Sequence, residues 1–140
     1  MKNYSDLPAT NTLIPIMIEL EPIGTPHVDI IINNSQTDYL LSNSITITTF
    51  CELISPITIS LILSNKIYTT EYETAVIIKN ISIDNISIIP QYNHLSSYIN
   101  DHNNNNPTNY LGFNGKWTLT IDQPFYQWLH QARNLGWLLD

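Results

Sequence analysis

The stretch Tyr68-Thr69-Thr70-Glu71-Tyr72-Glu73 gathers two tyrosines and two glutamates in one polar loop. An aromatic face beside polar groups is the surface that a sugar ring asks for, apolar on its flat side and hydrogen-bonding at its edge. Tyr92, Tyr98 and Tyr110 dot a second, longer polar stretch. The structural alternative for all of these rings is that they cap the rim of a sandwich while their hydroxyls stay in water. Glu19 with Glu21, and Glu71 with Glu73, are carboxylates two positions apart. On a strand that spacing falls within the roughly 5–10 Å used in glycoside hydrolysis. Solvent-facing pairs share it, and the surface reading is the preferred one.

Other chemistries find no constellation. Cys51 is the single cysteine, and His27, His94, His102 and His130 share no motif spacing with it. An activated thiol needs an electropositive setting, so Cys51 is expected in the core. There is no Gly-x-Ser-x-Gly elbow, HExxH, CxxC or 12-residue calcium loop. The four glycines are scattered and make no phosphate cradle. No enzyme activity and no cofactor are expected. Calcium is the ion left open, because loops rich in Asn and Asp, such as the one holding Asp101-His102, offer the hard oxygen ligands it takes.

Composition excludes further classes. The 140 residues carry a formal charge of −7 with only five Lys and Arg, which denies nucleic acid its basic footprint and disfavours an anionic membrane surface. Charged residues make up 12%, about half the usual share, so solubility rests on Asn, Ser and Thr. Met1–Thr12 is polar and lacks the apolar core of a secretory signal. No run approaches the roughly 20 apolar residues of a membrane span. Synthesis in a cytosol without membrane insertion is the expectation.

The elements that must hold these residues are strands. Ile14, Ile16, Ile18 and Leu20 alternate with Pro15, Met17, Glu19 and Glu21, a period of two with one buried face. Pro15 cannot donate to a ladder, so this strand lies at an edge or Pro15 marks its start. Residues 27–33, 39–41, 45–50 and 57–63 read as further strands, with Ile57, Ile59, Leu61 and Leu63 on one face. Residues 75–83 form a near-continuous apolar run, expected to be central, with a bulge near Lys79 or Asn80 that shifts the phase. Ile86 to Ile89 follows an Asp84-Asn85 turn. Residues 91–109 read as one long loop. Asn114-Gly115 reads as a hairpin turn leading into a final strand with Trp117, Leu119 and Ile121 inward. Asp122 and Pro124 open a helix whose Phe125, Trp128, Leu129 and Ala132 share a face, with Gly136 as its stop. Trp137-Leu138-Leu139 is expected to tuck in behind it. The fold class expected is all-β, a jelly-roll-like antiparallel β-sandwich with one short C-terminal helix. Residues 1–12 read as a flexible arm and 13–140 as a single domain.

The order from Ile57 to Asn85 (strand, Asn65, polar loop, then Thr74-Ala-Val-Ile-Ile-Lys-Asn-Ile-Ser-Ile-Asp-Asn85) resembles the calcium-dependent, xylan-binding type of carbohydrate-binding module. The resemblance covers about half the chain and implies a jelly roll. It implies a role for Asn65, which fits the Asn of the family, but Lys66 stands where the family has Asp, and Glu71-Tyr72-Glu73 replaces Asp-Arg-Asn. A looser resemblance joins Asn114-Gly-Lys-Trp-Thr-Leu119, Pro124-Phe-Tyr-Gln-Trp-Leu-His130 and Gly136-Trp-Leu-Leu139 to the endings of small virion proteins of tailed bacteriophages. Two functions follow as expectations. The first is a non-enzymatic virion component, a decoration, neck or tail protein of a bacteriophage made in the host cytoplasm, partnered by other virion proteins and by copies of itself. The alternative is a glycan-binding module using Asn65, Tyr68, Glu71, Tyr72 and Glu73, with or without calcium.

Overall fold

The computed structural model describes residues 12–68, 73–102 and 107–139, with side chains in the C-terminal helix described as far as Arg133. The expected arm at 1–12 lies almost wholly outside this range. Strands β1 (Leu13–Ile23), β4 (Ile45–Glu52), β6 (Ala75–Ile83), β7 (Ile86–Ile89) and β9 (Tyr110–Leu111) form one sheet in the order β4-β1-β6-β7, with β9 also on β6. Strands β2 (His27–Ile32), β3 (Ser35–Leu40), β5 (Ile57–Leu63), β8 (Ser97–Asn100) and β10 (Gly115–Ile121) form the second, in the order β3-β2-β5-β10-β8. Every ladder is antiparallel. This is a jelly-roll-like β-sandwich closed by one helix, α1 (Phe125–Leu139).

Alternation decides which residues meet between the sheets. Ile14, Ile16, Ile18 and Leu20 from β1 face Val28, Ile59, Leu61, Trp117 and Leu119 across one continuous core. Pro15 is accommodated by register. Strand β1 pairs with β4 from Leu13 onward but with β6 only from Ile16 onward, so the missing N–H falls where one neighbour has already ended. The strand is internal, and Pro15 sits near its start. The bulge falls at Lys79, which β1 skips as Glu19 pairs with Asn80 and Leu20 with Ile78. Asp84 and Asn85 both adopt left-handed backbone, with φ of 51° and 66°, the geometry of a tight β-hairpin turn that Asn and Asp tolerate.

Four expectations need correction. The stretch 91–109 holds a 3-10 turn at Asn93–Leu95 and then β8, an edge strand whose Tyr98 and Asn100 face inward. The third strand is Ser35–Leu40, longer and earlier than residues 39–41. Asn114-Gly115 is no hairpin, because β9 belongs to one sheet and β10 to the other. In addition, α1 runs on through Gly136 to Leu139.

Phe125, Trp128, Leu129 and Ala132 are buried as their spacing requires. Trp128 meets Tyr92 edge-on at 5.8 Å, and the Tyr126 hydroxyl donates to Asp84 at 2.5 Å. The helix is thereby fastened to the β6–β7 turn and to the connection after β7. Cys51 is buried, and burial, reinforced by Glu52, pushes its thiol up to about 11, which removes it as a nucleophile near neutral pH.

Candidate functional site

Register gathers distant loops at one end of the sandwich. Gly115 pairs with both Leu63 and Asn100, Ala75 pairs with Ile23 and Val76 with Leu111. The β5–β6 connection, the β8–β9 connection and the β9–β10 crossing therefore share that end. Between them lies a cavity of about 420 Å³ lined by Lys66, Glu73, Tyr98, Asn100, Thr108, Tyr110, Gly112 and Phe113.

Its walls are held from below. The Trp117 indole N–H donates to the Thr108 carbonyl at 2.7 Å, and the Thr108 hydroxyl accepts the Tyr110 N–H at 3.0 Å. The Tyr98 hydroxyl accepts the Phe113 N–H at 2.9 Å and donates to the Phe113 carbonyl. Burial pushes the Tyr98 phenol up to about 12, so it remains a donor at any ordinary pH. Asn114 clamps the next segment, with its Oδ1 accepting the Lys66 N–H at 2.8 Å and its Nδ2 donating to the Lys66 carbonyl at 2.9 Å. Tyr110 lies with its ring against Gly112, where an added Cβ would fall 2.7 Å from the ring. Tyr110 is 42% exposed and forms an aromatic wall of the cavity.

Lys66 is the charged centre. Its ammonium donates to the Glu73 carboxylate and to the Gly112 carbonyl, the latter at 2.5 Å. It also lies 5.7 Å from the Tyr68 ring centre and 5.6 Å from that of Phe113, within cation–π range. Glu73 is positioned by its own backbone, since its carbonyl packs where a Cβ on Gly24 would be, 2.4 Å away, and Gly24 has φ of +72°. Only glycine meets both demands at that turn.

One rim is an aromatic and acid cluster. The Tyr68 hydroxyl donates to Asp101, 2.7 and 2.8 Å from its two oxygens, and accepts the Asn114 N–H at 2.8 Å. His102 contacts Asp101 at 3.0 Å and stacks on Phe113 at 4.1 Å. Burial, then the bond to Asp101, raises the Tyr68 phenol, while the Tyr68 hydrogen bond, with help from His102, holds the Asp101 carboxyl below its usual range. A carboxyl depressed in the folded state adds stability above its unfolded value and loses it as pH falls through the folded one. Melting curves of wild type and Asp101→Asn are therefore expected to differ by a constant gap near neutral pH. The gap closes as pH drops below about 4, whereas a gap that persists unchanged to pH 2 contradicts the assignment.

The residues singled out from sequence land in different places. Glu73 lines the cavity and is bound by Lys66. Tyr68 stands at the rim in the Asp101 cluster. Asn65 is spent on the β1–β2 turn, accepting the His27 N–H at 2.8 Å and donating to the Thr25 carbonyl at 3.0 Å. Glu71 and Tyr72 lie outside the described residues. Asn100, Thr108, Gly112 and Phe113 were not singled out, and Lys66 was noted only as a departure from a pattern.

Calcium does not fit the described part of the cavity. Glu73 is its only carboxylate among the described residues, and that group, together with the Gly112 carbonyl, is held by an ammonium. The other cluster of ligand-type side chains among the described residues is His27, Asp29 and Asp38 on β2 and β3, whose ligand atoms all lie within 4.8 Å of one another. His27 Nε2 meets Asp38 at 3.2 Å and His27 Nδ1 meets the Ser64 hydroxyl at 3.3 Å. An imidazole with two carboxylates falls well short of the six to eight oxygens calcium takes.

The architecture defines a class, the jelly-roll-like β-sandwich with a loop-built pocket at one end. No family model and no curated protein matches the chain. Solved structures do. One is the selenomethionine form of vCBM60, from work on two circularly permuted families of calcium-dependent carbohydrate-binding modules, with a TM-score of 0.54 and 13% identity over 79% of this chain and 91% of that one. Another is vCBM60 in complex with galactobiose, with a TM-score of 0.53 and 13% identity over 77% of this chain and 97% of that one. At this identity the likeness shows the fold. Neither structure is a virion protein, and the likeness carries the fold alone.

Proposed function

We propose that this end of the sandwich binds a glycan without turning it over. The observation that carries the reading is the cavity itself, where an exposed Tyr110 ring stands beside the Lys66–Glu73 pair. The ring offers an apolar face to a pyranose, and the pair offers a donor and an acceptor at its edge. Asn100 and Thr108 add polar groups to the lining, which matches the mostly apolar, sparsely polar character of small-ligand sites. The fold shared with vCBM60, a carbohydrate-binding module solved in complex with galactobiose, supports the same reading. The Cys51 thiol is buried and the Glu73 carboxylate is ion-paired with Lys66, so neither stands free as a nucleophile.

The test is a glycan array on the purified chain, with galactobiose and neutral plant-type oligosaccharides among the probes, followed by calorimetric titration of any hit. Saturable binding that is lost on changing cavity residues supports the proposal. No binding to any glycan across the array overturns it.

A further inference from the structure

Three observations converge on the Lys66 ammonium. It is bonded to a carboxylate and a backbone carbonyl, it faces two aromatic rings, and its side chain is only 12% exposed. A charge withdrawn from water to this degree persists only when paired and hydrogen-bonded. A carboxylate and a carbonyl turned to one point are also the ligands of a hard metal ion. Here that point is filled from within the chain.

We propose that Lys66 is the resident cation of this pocket, so that the site takes the vicinal hydroxyls of a neutral sugar with no need of calcium. The inference rests on the glycan reading. An ammonium has three donors. Glu73 and Gly112 take two of them, which leaves the third for a ligand in the cavity that Lys66 lines. Glu73, half exposed, keeps further lone pairs on its carboxylate. One sugar hydroxyl accepts from Lys66 while its neighbour donates to Glu73, which is the pairing a vicinal diol provides. Lys66 and Glu73 are the only formal charges among the described lining residues, and they cancel. The pocket therefore favours a neutral sugar over a uronic or sulfated one. A calcium ion brought to the same oxygens would meet the ammonium's repulsion.

The experiment has two arms on the intact chain. In the first, calcium chloride is titrated alone while amide resonances of Glu73 and Gly112 are followed by NMR. No movement up to millimolar calcium is expected, and a saturable shift at these two amides overturns the inference. In the second, the neutral glycan found on the array is titrated with added calcium and again with chelator. Equal affinity is expected, and a tenfold loss in chelator overturns the inference while leaving the glycan reading intact. Lys66→Met is expected to weaken binding at least tenfold and Lys66→Arg to retain part of it. Unchanged binding by a folded Lys66→Met protein overturns the role. Should no glycan bind at all, the glycan reading falls, and with it the diol pairing, whereas the calcium arm still decides whether Lys66 excludes the ion.

Discussion

Trp117→Ala is expected to cost about 4 kcal/mol of folding stability, the usual loss for a fully buried tryptophan. Trp117 has no exposed surface and sits mid-strand in β10, opposite Leu61 on one side and Tyr98 on the other. It is the largest of the fully buried side chains, and its removal empties the centre of one sheet face. Its indole also satisfies the Thr108 carbonyl, a partner that alanine cannot replace; leaving such a group unpaired adds about 1 kcal/mol or more. Against a total of roughly 5–15 kcal/mol this is a large fraction. Melting followed by circular dichroism is expected to drop by roughly 10–15 °C. Trp117→Phe bears on the two contributions, because it keeps a buried aromatic ring while removing the donor and part of the volume. It is expected to fall between wild type and alanine in stability and to loosen the Thr108–Tyr110 wall of the cavity. A Trp117→Ala protein that melts within 2–3 °C of wild type contradicts the central position given to this ring.

The link from Trp117 to Thr108 also shows which parts of the molecule could be read from the chain and which could not. Strands with a clean period of two were legible because one buried face demands it. Ile14 to Leu20 and Ile57 to Leu63 are buried as their alternation requires. The bulge was legible for the same reason, since the alternation of β6 breaks at Lys79 and the ladder skips that residue. Strand β8 was not legible, because it is four residues long and turns a polar Asn100 inward. Strand β9 has two residues and no period at all. Asn114 carried the local signature of a hairpin, yet its side chain is engaged 48 positions away with Lys66. Three of the cavity's described lining residues, Tyr98, Asn100 and Tyr110, come from β8 and β9. Glu73 stood out among its sequence neighbours, whereas Thr108, Gly112 and Phe113 acquire meaning only when the β9–β10 crossing carries them from one sheet to the other. The closeness of Gly112 to the Tyr110 ring leaves no trace in spacing or composition.

That closeness yields the second large effect. Tyr110→Ala is expected to weaken glycan binding by about 2 kcal/mol, the scale of an aromatic anchor at an interface, or roughly thirtyfold in Kd. The backbone of Tyr110 pairs with Ile77 whatever its side chain, and the residue is 42% exposed, so stability is expected to change by less than about 1 kcal/mol. Tyr110→Phe keeps the face and removes the hydroxyl, and it is expected to bind within a few-fold of wild type if the ring face is what the sugar uses. Gly112→Ala tests the same wall without touching the ring. Its Cβ would fall 2.7 Å from Tyr110 Cε1, so the ring must swing off its seat, and binding is expected to weaken although every donor and acceptor of the cavity is still present. Calorimetric titration of the three variants with the same glycan separates stacking from hydrogen bonding. Loss in Tyr110→Ala and Gly112→Ala with retention in Tyr110→Phe identifies the ring face as the platform, and equal affinity in all three places the sugar elsewhere on the molecule.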